Sequence, residues 1–236
     1  MNWIKPDWPL PAKVRAAVTL RSGGVSVGSY ASLNPAGHVN DDPQHVQRNR
    51  QIIRDLLELP AEPVWLQQVH GIDVVKADQV LALPTADASY TDQSGVVCAV
   101  LTADCLPVLF CGDGGDKIAA AHAGWRGLQA GVIAATLRAI DCREVSVWLG
   151  PAIGPQHFEV GARYSRLFWR PIRGISRLLP RTAPANGWPI FTNWRAGNWP
   201  GWAWSGCSAA TIALWPIRHG FTLTAATAPP PAAWRV

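Results

Sequence analysis

Acidic residues stop at Glu159. Every Asp and Glu of the chain lies at or before that position, no Lys lies beyond it, and the only charged residues from Val160 to Val236 are nine arginines. The same stretch carries eight of the thirteen tryptophans. Folded domains mix both signs of charge over their water-facing positions, and a stretch without carboxylates or lysines is not patterned that way. A domain with an inside and an outside is therefore expected from residues 1–161. Residues 162–236 are expected to form a tail that is disordered or poorly packed, and function is read from the first part alone.

The same division changes the meaning of the net charge. A formal value of +5 would suggest a nucleic-acid partner. Nine of the 21 basic residues belong to the tail, however, which leaves residues 1–159 with 12 basic against 16 acidic groups and a net charge of −4. No nucleic-acid partner is expected. No run of about 20 apolar residues offers a membrane span, so no membrane partner is expected either. Met1–Arg15 holds Asp7 and three prolines where a secretory signal would need an apolar run. Five cysteines, an odd number, do not make a disulfide framework. The expectation is a cytoplasmic protein in which any special cysteine is a ligand or a nucleophile.

Patterning within the first part predicts a mixed α+β fold. Residues 13–21 are β-rich, and Ser22-Gly23-Gly24 supplies a turn. Asp41-Asp42-Pro43 predicts a helix start, and Val46, Ile53, Leu56 and Leu57 recur on one helical face before Pro60 and Pro63 end it. Short β-branched segments follow at 64–69, 73–77, 96–102, 107–111 and 118–121. Gly124–Gly127 is expected to open a helix running to about Ile140, and 145–149 returns to strand. Strands outnumber helices and alternate with them irregularly, which favours a single-domain α/β sandwich of mixed sheets over a doubly wound sheet.

Three islands carry chemically capable residues at predicted strand ends, where scaffolds present functional groups. They are Gln67-Gln68-Val69-His70-Gly71, Thr102-Ala103-Asp104-Cys105-Leu106-Pro107 and Ala121-His122-Ala123-Gly124-Trp125-Arg126-Gly127. Two imidazoles and one thiolate would make a three-ligand site of the catalytic zinc type. Bound zinc can bring the pKa of a coordinated water to about 7. Spacing does not decide the matter, because a hydrogen-bonded structural role explains each histidine as well as ligation does. Cys98 and Cys111 fall in apolar strands and read as core residues. Cys105 differs, since Asp104 and Pro107 place it at a chain break.

Those islands resemble the hallmarks of the laccase-domain family, also called polyphenol oxidase, purine nucleoside phosphorylase or peptidoglycan-editing factor. Ser32-Leu33-Asn34, His38-Val39-Asn40-Asp41-Asp42 and Gly150-Pro151-Ala152-Ile153-Gly154 extend the resemblance, in order, over residues 15–161. It implies a metal held by His70, Cys105 and His122, with zinc the expected ion and copper the alternative for the same soft donors. It further implies phosphorolysis of adenosine, inosine, guanosine and methylthioadenosine, with adenosine deamination. The small-molecule partners would then be a purine nucleoside and phosphate. Arg126 and Arg21 are candidates for holding the anion, helped by amides at the helix start after Gly124. Asp104 is the candidate proton-transfer group by adjacency alone, and His157 reads as structural. The H-x-E…P-C-x-x-C signature of nucleobase deaminases is absent. Alternatives are a peptidoglycan-editing hydrolase, a copper phenol oxidase, or a non-catalytic metal-binding remnant.

The resemblance stops after Glu159-Val160-Gly161. Members normally continue with acidic and K-W-x-x-D-L helices, a G-x-x-C-T strand and a closing F-x-S-Y-R-R…T-G-R segment. Back-translating 221–236 and shifting by one base permits F-Y-S-Y-R-R-D-R-x-x-T-G-R, and 205–214 permits E-R-V-F-G-G-D-Y-C-T. The tail is therefore read as an out-of-frame version of that ending. On this reading the arginine that the family places beside the metal is missing, and turnover is expected to be impaired.

Overall fold

A computed structural model describes residues 3–153 and, as backbone, 210–216. Among these described residues, nine strands form two sheets. The first has the order β1-β2-β9-β5, built from β1 (Trp3–Ile4), β2 (Val14–Thr19), β9 (Ala210–Pro216) and β5 (Cys98–Thr102), with every neighbour antiparallel. The second has the order β3-β4-β7-β6-β8, built from β3 (Val74–Lys76), β4 (Ala88–Thr91), β7 (Ile118–Ala123), β6 (Leu106–Gly112) and β8 (Val145–Leu149). Only the β3–β4 pair in that sheet is parallel.

The two sheets pack face to face, and helices cover their outer faces. Between the sheets lie Val14, Ala16 and Val18 of β2 and Cys98 and Val100 of β5. Leu109 and Cys111 of β6 and Ile118 and Ala120 of β7 meet them from the other side. The alternate residues of β5, Ala99 and Leu101, bury against Ile53 and Leu57 of helix α1 (Pro43–Leu57). The alternate residues of β6 and β7 bury against Leu128 of α2 (Trp125–Ala130) and Val132, Ile133 and Ile140 of α3 (Val132–Ile140). Strands buried on both faces need apolar residues at every position rather than at every second one. This is why CAVLT and LPVLFCG are almost continuously apolar, with all residues buried. The mixed sandwich flanked by helices expected from the sequence is what forms.

Local signals account for the helix ends. Asp42 caps α1 by accepting a hydrogen bond from Gln44 N–H at 2.8 Å, with Pro43 at the first position. The predicted single helix after Gly124 is two pieces, because Gly131 takes φ = 105° and breaks it after six residues. Residues 64–69 do not form a regular strand. They make isolated bridges, Val64 to Cys98 and Gln67 to Thr85, while the side-chain amide of Gln68 completes the contact with β5. Gln68 Nε2 donates to Leu101 O and Gln68 Oε1 accepts from Leu101 N–H, both at 2.8 Å. β4 is a strand that periodicity did not reveal, because ASYT mixes small and polar residues, of which Ala88, Ser89 and Thr91 are buried all the same. Of the expected tail, Ala210–Pro216 pairs as β9 between β2 and β5. The other residues of 162–236, and His157, lie outside the described residues.

Ser32-Leu33-Asn34 and Asp41-Asp42 turn out to serve the scaffold. Asn49 of α1, fully buried, donates to Ser26 Oγ at 2.8 Å and to Asn34 O at 2.9 Å, and accepts from Val25 N–H at 2.9 Å. Ser26 Oγ and Asn34 Nδ2 both donate to Asp41 Oδ2, at 2.6 and 2.8 Å. A glycine-rich loop too polar to pack by its side chains is thereby tied to the helix.

Candidate metal centre

Antiparallel register brings the predicted ligands together. Pro107 of β6 lies opposite His122 of β7, and Ala88 of β4 lies opposite Ala121. Cys105, just ahead of β6, and Asp87, just ahead of β4, therefore flank the end of β7 where His122 sits. His122 shares the face of Ile118 and Ala120, which looks toward the other sheet. His70 arrives from the loop before β3. One donor atom from each of His70, Cys105 and His122 lies within 4.8 Å of the other two. Sγ of Cys105 is 3.6 Å from Nε2 of His70, and the two imidazoles meet edge to face at 4.7 Å between centroids.

Glycines make this approach sterically permissible. A methyl group on Gly124 would come within 2.4 Å of Cδ2 of His70 and 3.1 Å of Sγ of Cys105. One on Gly127 would come within 2.7 Å of the carbonyl oxygen of Gly71. The His122-Ala-Gly-Trp-Arg-Gly127 motif is thus half donor and half clearance.

His70 has φ = 60°, a left-handed conformation that costs a non-glycine residue roughly 1–2 kcal/mol. It is held there by Asp87, which sequence analysis did not single out. The Asp87 side chain accepts hydrogen bonds from the backbone N–H groups of Val69 (3.1 Å), His70 (2.9 Å) and Gly71 (2.6 Å). Nδ1 of His122 lies 2.7 Å from Oδ1 of the same carboxylate. The backbone N–H of His122 donates to the Asp87 carbonyl at 2.7 Å. Asp87 is fully buried and His122 only 4% exposed. The one signal that could have marked Asp87 was a carboxylate among small residues at a strand start, and that signal needs β4 to be recognised first.

Burial, then the proximity of His122, lowers the pKa of His70 and so favours its neutral form. Burial, followed by the charge of Asp104, pushes the Cys105 thiol up to about 12. Burial opposes ionisation of Asp87, but the hydrogen bonds from His122 and from the Gly71 and Val69 amides outweigh it and leave its pKa below the ordinary carboxylate value.

The donor set fits a tetrahedral ion. Metal–sulfur and metal–nitrogen bonds of about 2.3 and 2.0–2.1 Å place a sulfur and a nitrogen roughly 3.5 Å apart at a zinc, close to the separation of Cys105 and His70. Asp104 is exposed at the rim, its carbonyl accepting from Ile153 N–H at 2.9 Å. Arg126 is exposed with its guanidinium 4.5 Å over the Trp125 ring, and its charge reaches both His70 and Cys105. Arg21 turns instead to the carbonyl of Ala31, at 2.9 Å from Nη2. The helix that starts after Gly124 is six residues long, Trp125–Ala130.

Comparison with known proteins agrees with this geometry. A family described as multi-copper polyphenol oxidoreductase laccase matches residues 15–191, past the Gly161 at which the sequence resemblance was seen to end. "Purine nucleoside phosphorylase PA4543" of Pseudomonas aeruginosa is 54% identical over 168 residues, covering 70% of this chain and 68% of that protein. "Purine nucleoside phosphorylase YfiH" of Escherichia coli is 51% identical, covering 70% and 69%. A solved structure of a Neisseria meningitidis protein superposes with a TM-score of 0.74 at 35% identity, covering 92% of this chain and all of that one. YlmD from Geobacillus stearothermophilus gives 0.70 at 26%, covering 92% and 97%. With a matched family segment that contains all three donors, this chain belongs to the multi-copper polyphenol oxidoreductase laccase family.

Proposed function

We propose that the chain is a zinc-dependent purine nucleoside phosphorylase, accepting adenosine, inosine, guanosine and methylthioadenosine, with adenosine deaminase activity. The observation that carries the reading is the convergence of His70, Cys105 and His122, three residues remote in sequence, within 4.8 Å. The names borne by the relatives at 51–54% identity support the same activity. His70 and His122 would ligate as neutral imidazoles and Cys105 as a thiolate. When bound, the metal supplies Lewis acidity and a water of lowered pKa.

The protein's own groups would do the rest. Arg126, at the rim, would attract phosphate and hold it for attack on C1′ of the nucleoside. The C1′–N9 bond would then break, its electron pair would leave with the purine, and Asp104 would deliver the proton that the departing purine takes up. Arg21, tied to its own loop, is the weaker candidate for the anion. The reading includes a cytoplasmic setting, which keeps a thiolate ligand reduced, and no nucleic-acid or membrane partner.

A copper phenol oxidase is the second reading, favoured by the family's description and by a donor set that accepts copper as readily as zinc. Metal analysis of the purified protein, with parallel assays on inosine plus phosphate, a muropeptide precursor and a phenol, separates these. Phosphate-dependent release of hypoxanthine that is lost on chelation and restored by zinc is the expected result. Tight metal with no turnover on any substrate would refute the enzyme reading.

A further inference from the structure

We propose that Asp87 is the positioning residue of the metal centre, its single buried carboxylate fixing the ring tautomer of His122 and the turn that presents His70. The inference rests on the reading of His70, Cys105 and His122 as metal ligands. An ionised carboxylate has about four lone-pair sites and no donor. All are taken: Oδ1 accepts from His70 N–H at 2.9 Å and faces His122 Nδ1 at 2.7 Å, and Oδ2 accepts from Val69 N–H at 3.1 Å and Gly71 N–H at 2.6 Å. With no hydrogen to offer, the carboxylate gives its contact with Nδ1 one chemical sense. Nδ1 carries the hydrogen, and Nε2 is left with the lone pair that a metal needs.

The same group therefore does two things that a ligand site requires and that separate residues usually share. It orients the ring of His122, and it clamps three consecutive amides so that His70 keeps its left-handed backbone. Asparagine could not replace it. Its NH2 would face either the amides of Val69 and Gly71, donor against donor, or His122 Nδ1, where it would enforce the opposite tautomer.

Two measurements on the full chain test this. In metal-free wild type at pH 8, two-bond nitrogen–proton correlations of 15N-labelled histidine should show His122 as the Nδ1–H tautomer. An Nε2–H tautomer would overturn the proposal. Zinc affinity by competition with a chromophoric chelator should fall about 10- to 100-fold in Asp87→Asn. The cobalt(II)-loaded variant should keep its thiolate charge-transfer band, because Cys105 is untouched. Wild-type affinity in Asp87→Asn beside weakened binding in Cys105→Ser would refute the role of Asp87 and leave the metal reading standing. Unweakened binding in Cys105→Ser would sink both. Should Asp87→Asn fail to fold, the wild-type tautomer decides.

Discussion

Gly124→Ala isolates the clearance that the metal centre depends on. Gly124 has φ = −59° and ψ = 154°, a conformation open to alanine, so backbone strain plays no part. The added methyl would lie 2.4 Å from Cδ2 and 2.9 Å from Nε2 of His70, and 3.1 Å from Sγ of Cys105. Carbon atoms rest at about 3.5–4.0 Å, so the imidazole must move by roughly 1 Å. In the metal-free protein the half-buried ring can swing outward, and the stability loss should stay near 1 kcal/mol, much of it from alanine's poorer performance at a helix start. Metal binding forbids that escape, because ligand distances tolerate only about ±0.2 Å. An overpacking cost of about 1–3 kcal/mol then falls on the bound state, which is a loss of roughly 5- to 150-fold in affinity. Chelator competition reads the affinity and thermal denaturation of the metal-free protein reads the stability. Wild-type zinc affinity in Gly124→Ala would refute the reasoning, as would equal losses in both measurements.

Four further outcomes follow from the structure and the sequence. Asn49→Ala should cost about 2–3 kcal/mol in urea denaturation, since it strands Val25 N–H, Ser26 and Asn34 together; an unchanged midpoint would mean the loop is held otherwise. Metal entry must expel the proton of Cys105, whose thiol stands at about 12 without metal. Apparent affinity should therefore rise about tenfold per pH unit from pH 7 to 9, with one proton released in calorimetry across several buffers. Without metal, the pKa of folded His70 is lowered from 6.5 and that of Asp87 from 3.8. Stability should accordingly decline as pH falls below 6.5, and again as it falls below 3.8 through the folded value of Asp87; a chain that gains stability on acidification would contradict both shifts. Finally, a version with the reading frame restored beyond Gly161 should cleave inosine with phosphate faster than this chain, and equal rates would defeat the frame-shift reading.

How far the sequence could be read depended on the kind of signal. The α1 start was legible because an Asp cap followed by proline acts within one turn of backbone. β8 was legible because a short β-branched run between polar residues has few other fates. Gly131 was passed over because glycine inside an apolar helical run does not announce whether it will take a positive φ. β4 was passed over because its small polar residues are buried by neighbouring strands, not by their own hydrophobicity.

Chemical identity was local and could be known from the chain alone: which side chains can donate to a metal, where apolar surface must be hidden, and where carboxylates cease. Convergence was not. His70 and His122 meet because β7 pairs with β4 and β6 in one register, and because glycines at 124 and 127 leave room for a turn from elsewhere. Asp87 became visible only through that pairing, since a lone carboxylate gains its role from the donors that packing brings to it. Distances between residues far apart in sequence are set by the sum of all the packing in between, which no single stretch of residues contains.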